Sequence, residues 1–167
     1  SYLGRIINTI KLNIKKIIIS LVILFLAFLI YQIFTFYNLN KIKQNSISFF
    51  NTQNFSDLKL IQEPILKLSD ENNFYGILSK LQLTKIKINE KKYQEVIEIY
   101  NDLLNSKNLD SIYKSAIASR ASYQFIDMNF LDISSDYIQI INNFLSNIDD
   151  DLISYQGVKL ELYYYNH

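Results

Sequence analysis

An all-α fold is predicted for this chain: one N-terminal membrane-spanning helix followed by an array of helical hairpins. Three observations predict it. Residues 17–37 form a run of 21 residues without charge, glycine or proline. The chain holds only three glycines and one proline, too little turn chemistry for a many-stranded β-domain. Beyond residue 90, apolar side chains recur every three to four positions, the period of a helix with one buried face.

The basic tail comes first. Residues 1–16 carry Arg5, Lys11, Lys15 and Lys16 and no acid. The span, residues 17–37, reaches roughly 31 Å at about 1.5 Å per helical residue, against a hydrocarbon core of about 30 Å. Fifteen of its positions are Leu, Ile, Val or Phe, which favours insertion by about 5–9 kcal/mol. Ser20, Gln32 and Thr35 do not reverse that. A core helix of a soluble domain rarely lacks a polar stripe for so long. Four bases precede the span and two, Lys41 and Lys43, follow it closely, which orients the N-terminus to the cytoplasm. A cleaved signal peptide would have a shorter apolar region and a small-residue cleavage site. Here the run leaves through Tyr31-Gln32-Ile33-Phe34-Thr35-Phe36-Tyr37, so an uncleaved anchor is expected, with Tyr31, Phe36 and Tyr37 in the outer interfacial belt.

Residues 38–56 read as a juxtamembrane helix and linker that loosens at Asn51-Thr52-Gln53-Asn54. Residues 57–167 read as the folded domain. After the span the chain carries 13 bases and 16 acids, a net of −3, which argues against nucleic-acid binding by that part. There is no cysteine, so disulfide and thiolate chemistry are excluded. The chain opens on Ser1 and stops within Tyr163-Tyr164-Tyr165-Asn166-His167, so both termini are expected to be incomplete.

Within the domain, Pro64 is expected to start or kink a short helix in residues 57–69. Tyr93, Val96, Ile97, Tyr100, Leu103 and Leu104 mark the clearest amphipathic helix. Ala116, Ala118, Ala121, Phe125 and Met128 mark a helix with small residues on one side. Ile133, Tyr137, Ile140, Ile141 and Phe144 mark another. Helix starts are expected at Ser56-Asp57, Asp110-Ser111 and Asp149-Asp150-Asp151, whose side-chain oxygens can cap free N–H groups.

A shift of 37 residues overlays Thr84 on Ala121, Ile88 on Phe125, Tyr93 on Phe130, Val96 on Ile133, Tyr100 on Tyr137 and Leu103 on Ile140. A third unit would begin near Leu152, with Val158 on the position of Thr84. The shift is close to the roughly 34-residue tetratricopeptide period, and each unit reads as helix–turn–helix. The Trp, Gly and Pro signature of that repeat is absent, and Val96 and Ile133 stand where alanine is usual.

The segment Tyr75-Gly76-Ile77-Leu78-Ser79-Lys80-Leu81-Gln82-Leu83-Thr84, followed by Asn89-Glu90-Lys91-Lys92-Tyr93-Gln94-Glu95-Val96, resembles the tetratricopeptide-like domain of the YfgM family. That family comprises ancillary subunits of the SecYEG translocon. Gly157, in Ser154-Tyr155-Gln156-Gly157-Val158-Lys159, matches a glycine that opens the family's third unit. The resemblance spans roughly residues 15–167. It implies an inner-membrane protein with a periplasmic domain beside the translocon and its folding factors.

Little in the chain announces chemistry. The single histidine, His167, rules out a Ser/His/Asp or Cys/His constellation within these residues. The three glycines are too scattered for a phosphate loop. Asp149-Asp150-Asp151 lacks the alternating ligands and glycine of an EF-type calcium loop and reads instead as a helix start stabilised by acids. Glu95, Glu98 and Asp102 read as solvated carboxylates. Neither an enzymatic reaction, a cofactor, a metal nor a small-molecule substrate is expected. Tyr163, Tyr164 and Tyr165 cannot share one helix face, so at least one meets further chain or a partner. Repeat arrays bind through the groove lined by each unit's first helix, which by register would present Lys85, Asn89, Ser122, Phe125, Lys159 and Tyr163. The expected function is a membrane-tethered module that binds partner proteins, among them the SecYEG translocon and periplasmic folding factors. Its alternatives are a structural subunit of a larger membrane complex without a client, and an enzyme whose active residues lie past His167.

Overall fold

The computed structural model describes residues 2–55, 57–107, 109–131 and 137–166. Among the described residues seven helices follow one another: α1 Tyr2–Thr52, α2 Leu58–Ser69, α3 Phe74–Asn89, α4 Tyr93–Asn105, α5 Ser111–Leu131, α6 Ile138–Leu145 and α7 Ile153–Asn166. Among the described residues there is no strand.

The chain divides into two compact units, Ser1–Ile47 and Ser48–His167. The first is helical throughout its described part. Its most apolar window has a mean hydropathy of 2.8, none of it buried. Leu24, Ile33 and Phe36 are 69%, 70% and 69% exposed. Alone in water such a surface would be unstable; surrounded by acyl chains it is solvated. The chain therefore has one N-terminal helix long and apolar enough to cross a membrane.

The second unit begins with the last turn of α1 and contains two cores. In the smaller, Phe49 packs with Ile61, Ile65 and Leu68 of α2 and with Leu83 and Ile86 of α3. Asp57 caps α2, its Oδ1 accepting from the Lys59 N–H at 2.9 Å. Pro64 lies inside α2. It neither starts the helix nor ends it, although its ring removes the bond to residue 60. Asn73 caps α3 by accepting from the N–H groups of Tyr75 and Gly76 at 3.0 and 3.3 Å. Gly76 is buried where the α2–α3 turn presses on α3: a Cβ there would overlap the carbonyl oxygen of Glu71.

Helices α3 and α4 form a hairpin. Its turn closes with the Lys92 N–H donating to the Lys87 carbonyl at 2.9 Å, and Lys91 takes a positive φ of 57°, where glycine is usual. A polar network covers the turn. Lys92 Nζ lies 2.9 Å from Glu90, and Gln62 on α2 donates to Glu90 at 3.0 Å. The hydrogen bond from Lys92 holds the Glu90 carboxyl below its ordinary value of 4.5. The same bond raises the Lys92 ammonium above its ordinary 10.5.

Helices α5 and α6 form the second hairpin, and α7 packs on both. The larger core joins these three helices to α4. Val96, Tyr100, Leu103 and Leu104 of α4 are buried, the face that the spacing predicts. Phe125 lies 5.2 Å from the Tyr137 ring and 5.6 Å from Phe144, itself 5.7 Å from Tyr100. The Tyr100 hydroxyl donates to Gln124 at 2.6 Å, so its burial leaves no donor unmade.

The 37-residue shift pairs buried positions in the first helices in part, with Val158, the third position after Thr84 and Ala121, only half-buried, and it changes for the second helices. Thr84 and Ala121 are both fully buried, and one further shift takes Phe125 to Leu162, also fully buried. In the second helices the buried positions Val96, Tyr100, Leu103 and Leu104 correspond to Tyr137, Ile141, Phe144 and Leu145, a shift of 41. Helix α5 has 21 residues where α3 has 16. The two shifts differ by four residues, about one helical turn. They preserve the face while moving the register, so Tyr137 occupies the place of Val96 rather than of Tyr100. Ile133 and the side chain of Phe130 lie outside the described residues.

Candidate functional site

α3 packs on α2 and α4, whereas α5 packs on α4, α6 and α7. Between α3 and α5 an open cavity of about 830 Å³ remains, walled by the start of each helix and by the α4–α5 connection. That volume falls within the range of pockets that enclose small molecules or several peptide residues, about 300–1,000 Å³.

Local sequence builds each wall. On α3, Phe74, Ile77 and Leu81 fall at i, i+3 and i+7, one stripe of a helix. On α5, Tyr113, Ala116, Ile117 and Arg120 do the same. Leu103 and Ile117, both nearly buried, form an apolar floor. At the rim Phe74 and Tyr113 are 52% and 54% exposed, and their rings meet edge to face at 6.5 Å. Asp110 anchors the start of α5, accepting from the Ile112 N–H at 3.4 Å. Lys80 and Asp102 form an ion pair within the wall. Arg120, half-buried, donates from Nη2 to the Leu81 carbonyl at 3.4 Å.

The six residues assigned to the groove by register lie elsewhere. Lys85 and Asn89 are exposed on α3, one and two turns past Leu81, where the cavity has ended. Ser122 and Phe125 are 0% exposed and are not groove residues. The Ser122 hydroxyl donates to the Ala118 carbonyl at 2.9 Å, and Phe125 sits in the aromatic core. Lys159 donates to the Ile148 carbonyl at 3.1 Å and to Asp150 at 2.6 Å. Tyr163 is 38% exposed on α7. The physical reason is the central place of α5. Three helices pack on it, and of its residues only Tyr113, Ala116, Ile117 and Arg120 line the cavity. The signal was present in the sequence, because α5 carries apolar residues on more than one side.

Asp149 accepts from the Asp151 N–H at 3.0 Å, the turn expected before α7. Among the described residues no group of three His, Cys, Asp or Glu side chains is placed to hold a metal ion. At the α5–α7 contact, burial raises the Tyr123 phenol above its ordinary 10.0, and the neighbouring Glu161 adds to the shift. No family model, no curated protein and no solved structure matches the chain.

Proposed function

We propose that this protein is a membrane-tethered, tetratricopeptide-like binding module, its N-terminus cytoplasmic and its helical domain on the periplasmic side of an inner membrane. The observation that carries the reading is the open cavity between two successive first helices, in a chain whose N-terminal helix can cross a membrane. The hairpins α3–α4 and α5–α6, with first helices offset by 37 residues, support the tetratricopeptide-like arrangement. The excess of bases before the span supports the orientation.

Binding rather than a reaction fits the cavity: its walls are mainly apolar, and its charges are largely committed to one another or to helix ends. Tethering makes a weak groove sufficient, because a second contact beside an anchored partner is nearly intramolecular. The resemblance to the YfgM family assigns the partner side to the SecYEG translocon, and the client to exported chains handed to folding factors.

Photo-crosslinking in intact membranes tests this. A crosslinking side chain at Tyr113 is expected to capture translocon components or an exporting polypeptide, and one at Lys85 is expected to capture much less. No adduct from Tyr113 counts against the groove. A fixed stoichiometric complex without translocon components, unaffected by changes at Tyr113, favours the structural-subunit reading instead.

A further inference from the structure

We infer that the α3–α5 cavity recognises an extended polypeptide segment bearing a large apolar side chain and, about three residues away, a carboxylate, with Arg120 as the anion-binding group. This inference rests on the protein-binding reading above and specifies its ligand.

Arg120 is the telling residue. A guanidinium presents five N–H donors in a planar fork, and here one of them makes a single long bond, 3.4 Å to the Leu81 carbonyl. Among the described residues it has no ion-pair partner, whereas Lys80, Lys87, Lys92 and Lys159 each have one. The nearby acids are engaged. Asp102 holds Lys80, and Asp110 caps α5. A partly desolvated cation with free donors, walled by Leu81 and Ile117, is stabilised by a carboxylate that accepts two of its N–H groups.

The second determinant is the ledge made by Phe74 and Tyr113. Both rings are more than half exposed while lying at the mouth of the same cavity, a surface suited to an apolar or aromatic side chain. Tyr113 and Arg120 are seven residues apart on α5, roughly 10 Å along the helix at about 1.5 Å per residue. An extended chain covers that distance in about three residues at roughly 3.3 Å each. A protein segment is preferred over nucleic acid as the source of the anion. The chain after the span is net negative, with 13 bases against 16 acids, and offers one unpaired guanidinium rather than a basic track.

The test uses the full chain in lipid nanodiscs and two fluorescein-labelled, C-terminally amidated peptides, Ser-Phe-Ser-Ser-Glu-Ser and its Gln counterpart. The Glu peptide is expected to bind about tenfold more tightly, the worth of one charge-assisted contact. Arg120→Gln is expected to abolish that difference without weakening the Gln peptide, and Arg120→Lys to restore part of it. Equal binding of both peptides to the unaltered protein overturns the inference and leaves the protein-binding reading standing. Equal weakening of both peptides by Arg120→Gln, with a lowered melting temperature, assigns Arg120 to structure and overturns the inference as well. If neither peptide binds, the inference fails, and the crosslinking from Tyr113 alone judges the broader reading.

Discussion

Gly76 and Gly157 are chemically identical and structurally opposite. A side chain at Gly76 would meet backbone, the Glu71 carbonyl, which has no rotamer with which to retreat. Gly76→Ala is therefore expected to destabilise the domain by about 1–3 kcal/mol, the usual scale of forced overpacking. At Gly157, in α7, an added methyl group would have no neighbour within 4 Å, and no positive φ requires glycine there. Gly157→Ala should stabilise by about 0.5–1 kcal/mol, the helical preference for alanine. Thermal melts of the two variants followed by circular dichroism decide the matter. Shifts of the same sign would mean that the close approach at Gly76 does not exist.

Among the elements, the α3–α4 hairpin depends most on charge. Glu90 is held below 4.5 chiefly by its bond from Lys92, so its contribution is present above that value and is lost as pH falls through the lowered one. Lys92, raised above 10.5 by the same bond, contributes below that value and loses its contribution as pH rises through the raised one. Glu90→Gln should therefore lower the melting temperature at neutral pH and cost progressively less below pH 4.5. A constant difference across that range would show that the network does not stabilise the turn. Sequence reading found α4 because one clean stripe, Val96 to Leu104, coincides with its buried face. It misplaced the register of α6 because the four-residue change between the two hairpins has no marker such as glycine or proline. The caps at Asp57 and Asp110 were legible as acids before apolar runs. Asn73 was missed, since Asn72 and Asn73 follow Asp70-Glu71 in a polar stretch with several competing starts.

At the scale of the whole molecule, the two cores divide the labour. Ile61→Ala removes a fully enclosed side chain from the smaller one and should cost about 2–5 kcal/mol; Phe144→Ala removes the ring that joins Tyr100 and Phe125, at about 3–5 kcal/mol. Because the helices of the domain contact mainly their neighbours in the array, stability is distributed nearest neighbour by nearest neighbour. Hydrogen exchange should therefore show Ile61→Ala loosening α2 and α3 while α5 to α7 stay protected, and Phe144→Ala loosening α4 to α7. Uniform loosening by either variant would mean a single cooperative block. The long apolar helix was legible because crossing hydrocarbon imposes one demand, unbroken apolarity, which composition alone reports. The groove was not, because which side of α5 stays open depends on three helices that cover it from distant parts of the chain.

Phe49, near the end of α1, is a member of the smaller core with Ile61 and Ile65. In chain order that core is the first structure met after the apolar run of α1. If lipid holds the preceding helix, as proposed, a pull on the domain loads these three side chains before the aromatic cluster that follows them in the chain.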